Sequence, residues 1–171
     1  MSIITHRSMW IALVFALFLS ACTDATQINN DSEAVTESPI TSLTVYKSRS
    51  CKCCQKWVNH IEEHGFDADV SNVTLMSRIK DKYGVAPNYR SCHTALSPGG
   101  FVFEGHIPAK FIQQFLDNIP EGAIGLSVPA MPIGSPGMEV GDQFHPYLIL
   151  QLNDDGSATT YAEVNTYEEQ F

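Results

Sequence analysis

The feature that most constrains this chain is a group of three cysteines at a predicted junction between a strand and a helix. The segment Ser50-Cys51-Lys52-Cys53-Cys54-Gln55-Lys56-Trp57 follows the apolar run Leu43–Tyr46 and precedes a helical pattern. Amide groups and the positive dipole end at a helix N-terminus stabilise thiolate, which is the form that binds soft metals or attacks disulfides. Cys51 and Cys54 have Cys-x-x-Cys spacing, with Cys53 as an additional thiol. The function of the chain therefore depends on what these sulfurs hold.

The first 21 residues are predicted to be a signal peptide of the lipoprotein type. Trp10–Leu19 is an uninterrupted apolar run of ten residues, which is too short to span a bilayer and suits the core of a signal peptide. The run ends in Leu19-Ser20-Ala21-Cys22, which resembles the bacterial lipobox, where the cysteine becomes the lipidated first residue. An ordinary cleavage site with an incidental cysteine is the alternative. Lipidation of Cys22 would place the protein on the periplasmic side of the bacterial envelope.

A polar tether and one folded domain are predicted to follow the signal peptide. Residues 22–41 are rich in Thr, Asp, Asn, Ser and Glu and are expected to form a flexible tether, so the domain spans residues 42–171. The formal charge of the whole chain is −9, and cleavage before Cys22 removes Arg7, leaving nine basic and nineteen acidic residues. Nucleic acid and anionic membranes need a basic surface, so both are excluded as partners, apart from membrane contact through a lipid anchor.

The domain shows the order of elements strand, helix, strand, helix, strand, strand, helix. Alternating and helical apolar spacing, with Gly and Pro as stops, defines each element. The predicted strands are Leu43–Tyr46, Phe66–Val73, His93–Leu96 and Phe101–Glu104, and the predicted helices are Cys54–His64, Thr74–Tyr83 and a segment between Pro108 and Pro120. The second helix is expected to bury Leu75, Met76 and Ile79. This connectivity is that of the α/β thioredoxin-like fold, a mixed sheet with flanking helices.

Two further segments are predicted to extend that fold. Ile124–Val140 is rich in Gly and Pro and carries Met131 and Met138, so it is expected to form a long loop without helix or strand. Tyr147–Leu152 and Ala158–Val164 flank a turn signal and predict a C-terminal β-hairpin that either extends the sheet or closes the loop down.

A fourth cysteine is expected to join the cluster. In thioredoxin-like proteins a cis-proline opens the third strand and touches the Cys-x-x-Cys motif, and here that position holds Ser91-Cys92-His93. Cys92 should therefore project at the thiol loop. His93 is its neighbour and is expected to face the opposite side, in the core or at the surface.

Clustered thiolates of this kind favour soft metals. Sulfur ligands select Cu(I), Zn or iron–sulfur clusters, and thioethers favour Cu(I) further. Four thiolates can hold one tetrahedral Zn, but the adjacency of Cys53 and Cys54 would strain that geometry, whereas thiolates that bridge several Cu(I) ions tolerate crowding. Accessory ligand candidates are Met131 and Met138, which no amphipathic stripe explains, and His106. His60 and His64 could chelate a metal or form a solvated helix face.

Four ordered motifs resemble the CopG-type copper-resistance family, thioredoxin-like periplasmic metal-binding proteins formerly described as a domain of unknown function. The motifs are Cys51-Lys52-Cys53-Cys54, Ser91-Cys92-His93-Thr94, Glu104-Gly105-His106-Ile107-Pro108-Ala109 and Met131-Pro132-Ile133-Gly134-Ser135-Pro136-Gly137-Met138-Glu139. The resemblance implies copper bound through Cys51, Cys53, Cys54 and Cys92, with a multinuclear Cu(I) cluster as one arrangement, and a redox role in copper handling. Family members are generally soluble in the periplasm, and the lipobox-like start departs from that.

Two classes of function are consistent with these features. In the first, the protein binds Cu(I) for sequestration, transfer or redox handling, with copper ions and other envelope copper-handling proteins as partners. In the second, it is a thiol-disulfide oxidoreductase in which Cys51 attacks and Cys54 resolves. The absent cis-proline weakens the second hypothesis, because in such enzymes it helps to hold the substrate chain.

Overall fold

The structure is a computed structural model, and it describes residues 41–171. The predicted signal peptide, Cys22 and all of the predicted tether except Thr41 lie outside the described residues. Thr41 itself is the first residue of a strand. None of the helices within the described range is long and apolar enough to cross a membrane.

Residues 41–171 form one seven-stranded mixed sheet flanked by helices. The chain order is β1 Thr41–Lys47, α1 Lys52–Glu63, β2 Phe66–Asn72, α2 Met76–Lys82, β3 Thr94–Leu96, β4 Val102–Glu104, α3 Ala109–Asp117, β5 Ala123–Ser127, β6 Tyr147–Asn153 and β7 Ala158–Val164. Short 3₁₀ helices lie at Pro87–Tyr89 and Tyr167–Gln170. The order across the sheet is β2-β1-β3-β4-β5-β6-β7.

The first four strands follow the predicted connectivity. β1 pairs in parallel with β2 through the crossover helix α1, and β3 lies antiparallel to both β1 and β4. This arrangement is consistent with the predicted thioredoxin-like fold. The C-terminal hairpin is also confirmed, and it extends the sheet, because β6 pairs with β5 and β7 pairs with β6.

Alternation along the strands places apolar side chains on both faces of the sheet. On one face, Leu43 and Val45 of β1 pack in a cluster with Trp57 of α1 and Phe115 of α3. That face therefore carries the main core. The opposite face carries a smaller cluster, whose buried members are Val85, Leu96, Val102 and Leu152. Since neighbouring strand residues point to opposite faces, Thr94 of β3 and Glu104 of β4 lie on this second face.

The prediction that Ile124–Val140 lacks regular structure is wrong for its first residues. Ala123–Ser127 forms β5, which pairs in parallel with β4. The Gly and Pro content of this segment predicts a loop, but a Cβ at Gly125 would lie 1.8 Å from the carbonyl oxygen of Val102. Glycine is therefore required where β5 passes close to β4. Glycine weakens the sequence signal for a strand, and here it also permits the pairing.

The second helix also differs from its prediction. It begins at Met76, and Leu75 stands at its N-cap with 53% of its surface exposed. The buried residue of α2 is Lys80, not a member of the predicted apolar side. An amphipathic pattern could not indicate this, because Lys80 is buried against a carboxylate on the sheet, Glu104, that lies 24 residues later in the chain.

Candidate metal centre

The thiol loop lies where the sequence places it, at the end of β1 and the start of α1. Cys51 is the N-cap of α1, and its sulfur accepts a hydrogen bond from the backbone N–H of Cys54 at 3.3 Å. The helix therefore starts at Lys52, two residues earlier than predicted. Cys51 and Cys53 are half-buried, whereas Cys54 is fully buried.

Four cysteine sulfurs meet at this junction. Cys51 and Cys54 form a disulfide, and Cys53 and Cys92 are free thiols among the described residues. The Sγ of Cys53 lies 3.4 Å from the Sγ of Cys51, and the Sγ of Cys92 lies 3.4 Å from the Sγ of Cys54. All four sulfurs lie within 4.8 Å of one another. The structure thus brings together the four predicted ligand candidates in a state that is oxidised by two electrons.

The topology of the sheet explains why Cys92 reaches the thiol loop. Because β3 runs antiparallel to β1, the start of β3 lies beside the end of β1, with Thr94 opposite Tyr46. Cys92 comes two residues before Thr94, so it lies beside the loop that follows Lys47. The contact joins residues that are 38 positions apart in the chain.

Two imidazoles form a second group around Cys92. The Nε2 of His106 lies 3.0 Å from the Sγ of Cys92, and the Nδ1 of His93 lies 3.3 Å from the same sulfur. Cys92, His93 and His106 each offer one ligand atom within 4.8 Å of the others. Cys92 is therefore shared between a sulfur group and an imidazole group.

The prediction that His93 faces away from Cys92 is wrong, although its burial in the core agrees with one of the two expected roles. The alternation of side chains applies within a strand, and β3 begins only at Thr94, so Cys92 and His93 precede the regular pleat. The His93 ring packs against Trp57 with centroids 4.3 Å apart. Its Nε2 is buried and has no hydrogen-bond partner among the described residues.

A backbone contact fixes the tautomer of His106. Its Nδ1 lies 2.8 Å from the carbonyl oxygen of Pro136, so Nδ1–H donates to that oxygen and Nε2 carries the lone pair that faces Cys92. A histidine that binds a metal commonly donates its other N–H to a carbonyl in this way. The predicted ligand candidate His106 is thus held in an orientation that suits coordination.

Burial governs the protonation states at the centre. Burial, and then the neighbouring Cys53, raises the pKa of the Cys92 thiol to about 12. Burial lowers the pKa of His93 well below its usual range, and it also lowers the pKa of His106 against the opposing effect of the Pro136 hydrogen bond. Both imidazoles are therefore neutral at pH 7 and can donate lone pairs. A bound metal cation would replace the thiol proton.

The loop that follows β5 covers one side of the centre. Gly134–Gly137 is buried, and a Cβ on Gly137, which has φ +86°, would lie 2.7 Å from the carbonyl oxygen of Cys53 and 2.8 Å from the backbone nitrogen of Trp57. Backbone atoms of Pro136 and Gly137 therefore make the close contacts. Met138 is half-buried and Met131 is 47% exposed. A role of the two methionines as ligands stays a prediction.

The other predicted histidine pair lies apart from these groups. His60 Nε2 accepts a hydrogen bond from the backbone N–H of Ala109, the first residue of α3, at 3.1 Å. Burial and then His64 lower the pKa of His60 to about 4. With Nε2 occupied as an acceptor and Nδ1 protonated in the neutral ring, His60 has no lone pair left for a metal. His60 joins two helices, and the exposed His64 belongs to a solvated face.

Comparison with solved structures places the chain among relatives. Two structures named "Copper resistance protein copG", forms 1 and 2, each share 35% sequence identity with it, at TM-scores of 0.68 and 0.69. The alignments cover 72% and 73% of this chain and 97% and 98% of those chains. This chain belongs to the CopG-type copper-resistance family. The family resemblance of the four sequence motifs is thereby confirmed.

Two further comparisons qualify that assignment. Residues 89–138 match a family model described as "Protein of unknown function, DUF411". The matched segment contains Cys92, His93, His106 and the loop over the centre, whereas the thiol loop precedes it. A search of curated proteins finds no match. The CopG-type assignment and the cysteine cluster together support a copper-related role.

Sequence reasoning missed three residues that the structure places in or behind the centre. Strand alternation predicted the wrong orientation for His93. The available signal for its place at the centre was the Cys-His pair directly before a strand. Lys80 lies within the predicted second helix and Glu104 ends the predicted strand Phe101–Glu104, and neither pattern indicates that the two are buried as an ion pair. A carboxylate within a short apolar strand was the available signal for the pair, because an ionised group is seldom buried without a partner.

Proposed function

We propose that this protein binds Cu(I) through the thiolates of Cys51, Cys53, Cys54 and Cys92, with His106 and His93 as adjacent donors. The observation that carries the proposal is the convergence of four sulfurs within 4.8 Å, next to two neutral imidazoles that share Cys92. Thiolate and imidazole together suit Cu(I) better than hard cations, which prefer oxygen. The membership of the CopG-type family supports copper as the cargo.

A cluster of several Cu(I) ions fits the crowded sulfurs best. Cys53 and Cys54 are adjacent in the chain, and Cys92 contacts donors of both groups. Bridging thiolates can serve two ions at once, so neighbouring sulfurs need not surround one metal as a tetrahedral Zn site demands. The proposed role is sequestration, transfer or redox handling of copper in metal resistance, with other envelope copper proteins as exchange partners.

Copper loading and the Cys51–Cys54 disulfide exclude each other in this proposal. Metal ligation requires thiolate, and a disulfide sulfur has none to offer, so two electrons must reduce the bond before all four sulfurs can bind. Oxidation of the same pair would remove two ligands and release copper. The cluster would thus respond to the redox state of its compartment.

The proposed location is the periplasmic side of a bacterial envelope, with a lipid on Cys22 as the membrane anchor. The apolar run Trp10–Leu19 and the sequence Leu19-Ser20-Ala21-Cys22 support it. An oxidising compartment also suits a disulfide. Labelling of growing cells with a radioactive fatty acid tests the anchor: label should enter the wild type and be lost in Cys22→Ser, and equal labelling of both would contradict it.

Metal counting tests the copper proposal. The purified protein is reduced, loaded anaerobically with Cu(I), separated from unbound metal and assayed for copper and zinc by elemental analysis. We expect more than one copper per chain, and almost none in a variant with Cys51, Cys53, Cys54 and Cys92 replaced by serine. Equal copper in the two proteins would refute the proposal. The variant Cys22→Ser controls for the loss of a cysteine outside the cluster.

The arrangement of the disulfide favours thiol-disulfide exchange as a second candidate function. Cys51 is half-buried and Cys54 fully buried, so an incoming thiolate would meet Cys51 first and release Cys54. The test is the rate at which the copper-free protein oxidises a small dithiol, compared with Cys51→Ser. Oxidation of the dithiol, one equivalent per protein disulfide, that is no faster with the wild type than with this variant would reject the second function and leave copper binding as the role of the cluster.

A further inference from the structure

A buried ion pair lies directly behind the segment that carries Cys92 and His93. Glu104 of β4 is fully buried, and Lys80 of α2 is 4% exposed. Their charged groups are in contact, Lys80 Nζ with Glu104 Oε1. Both groups lie on the second face of the sheet, opposite the main core, and neither belongs to the metal-binding set.

The hydrogen bonds of this pair go to the residues on both sides of the segment Cys92-His93. Glu104 Oε1 accepts from the backbone N–H of Ser91 at 2.6 Å, and Glu104 Oε2 accepts from the hydroxyl of Thr94 at 2.6 Å. Lys80 Nζ donates to Thr94 Oγ1 at 3.1 Å. Cys92 and His93 are the two residues between these anchor points, so their backbone is held on either side.

The segment held by the ion pair is also bonded to the turn that carries His106. Glu104 lies two residues before His106, and the backbone N–H of Gly105 donates to the carbonyl oxygen of His93 at 3.0 Å. Replacing Gly105 by any other residue would place a Cβ 2.6 Å from the side chain of Ser91. The turn that carries His106 is therefore packed against the segment that the ion pair holds.

The energetic balance of buried ions argues for a role other than stability. Removing two charges from water is costly, and an apolar pair of similar volume often stabilises a fold as well or better. The positions of a sulfur and two imidazoles, in contrast, must be correct within a fraction of an ångström to share metal ions. A charged, fully hydrogen-bonded anchor restricts its neighbours more than an apolar contact does.

We propose that Lys80 and Glu104, together with Thr94, are positioning residues of the copper site. They fix the Cys92-His93 segment so that the Cys92 sulfur stands between the thiol loop and His106. This inference rests on the proposed function, since it assigns the residues behind the same cluster. It extends the site to α2, which contributes no ligand candidate among the described residues.

The first test replaces the pair by apolar residues of similar size. The double variant Lys80→Met/Glu104→Leu should fold and melt close to the temperature of the wild type, because no buried charge is left unpaired. Its Cu(I) affinity, measured by competition with bathocuproine disulfonate, should fall about 10- to 100-fold, as for other residues that support metal ligands. Its X-ray absorption spectrum should show fewer sulfur and nitrogen neighbours per copper. A role in stability alone would leave the spectrum unchanged.

A second pair of variants decides the matter if the double variant does not fold. Thr94→Val keeps the shape of the side chain and removes its hydroxyl, while Thr94→Ser keeps the hydroxyl. We expect Thr94→Val to bind Cu(I) several-fold more weakly than the wild type, and Thr94→Ser to keep the wild-type affinity. Equal affinities and spectra for the wild type and both Thr94 variants would overturn the positioning role.

The outcomes separate this inference from the proposed function. A wild-type protein that binds no Cu(I) would overturn the proposed function and remove the basis of the inference. Copper bound by the wild type with the same affinity and spectrum as in the folded double variant would overturn the positioning role alone. Copper bound by the wild type and weakened in the double variant supports both.

Discussion

The two halves of the sulfur cluster are held in place by different means. The thiol loop Cys51–Cys54 is fixed locally: it follows a strand, caps a helix and closes on itself through a disulfide. The segment Cys92-His93 has no helix or strand of its own and is held by distant residues, among them Lys80 and Glu104. The first half therefore depends on local backbone structure, and the second depends on the whole fold.

The largest effect is expected for the second half, Cys92-His93, when the ion pair that holds it loses one of its two charges. Glu104→Leu leaves the ammonium group of Lys80 buried without its carboxylate and should lower the free energy of unfolding by about 3–5 kcal/mol. Urea denaturation of the reduced protein measures the change. Lys80→Met/Glu104→Leu is the matched control and should recover most of the loss. An equal loss in both variants would show that the charge imbalance is not the cause.

The packing of the loop Gly134–Gly137 on the thiol loop is tested at Gly137, whose backbone lies against Cys53 and Trp57. Gly137→Ala should lower the free energy of unfolding by about 2–4 kcal/mol, because it combines strain at positive φ with overlap of backbone atoms. Gly156→Ala is the control, since its φ of +82° is similar and nothing lies within 4 Å of the added Cβ. It should cost about 1 kcal/mol. Thermal unfolding of both variants gives the difference, and equal melting temperatures would contradict the packing described for Gly137.

The thiol loop should tolerate the loss of its disulfide bond. The Cys51–Cys54 disulfide closes a loop with a sequence separation of 3, so reduction should lower the free energy of unfolding by only about 2 kcal/mol. Urea denaturation with and without reductant measures this. Cys51→Ser/Cys54→Ser is the control and should show no dependence on reductant. Global unfolding of the wild type on reduction would show that the thiol loop is not self-supporting.

The smallest effect concerns pH and lies outside both halves. The pKa of His60 is about 4 in the folded protein and near its usual 6.5 when unfolded, so between these values the unfolded chain binds a proton that the folded chain does not. Stability should therefore fall as pH is lowered from about 6.5 towards 4, by on the order of 1 kcal/mol after allowance for the partial exposure of His60. Chemical denaturation at several pH values measures it.

His60→Gln provides the control for that pH dependence. The Gln amide oxygen can still accept from Ala109, but it does not titrate, so this variant should show a shallower decrease. His93 and His106 also have lowered pKa values and will contribute with the same sign. An unchanged slope in His60→Gln would assign the whole effect to those two residues.

The elements that the sequence predicted well are those with local signals. Trp57, Val58 and Ile61 gave the helical spacing of α1, and an apolar stripe at helical spacing that includes Phe111, Ile112 and Phe115 gave α3. β5 was missed because the Gly- and Pro-rich segment Ile124–Val140 predicts a loop, whereas Gly125 is there because β4 passes too close for a side chain. The burial of Lys80 was missed because its partner is distant in the chain. Such errors arise wherever a residue is chosen for a contact that local periodicity does not record.

By itself, the amino-acid sequence determined the thiol loop at a strand-to-helix junction, the order of the first seven elements and the likeness to the CopG-type family. These depend on apolar periodicity, turn residues and short motifs, which act over a few neighbouring positions. Only the tertiary structure decided that Cys54 and Cys92 lie 3.4 Å apart, that His93 turns towards Cys92 and that a buried ion pair stands behind them. Those features follow from strand pairing and from the burial of polar groups, which together act between residues far apart in the chain.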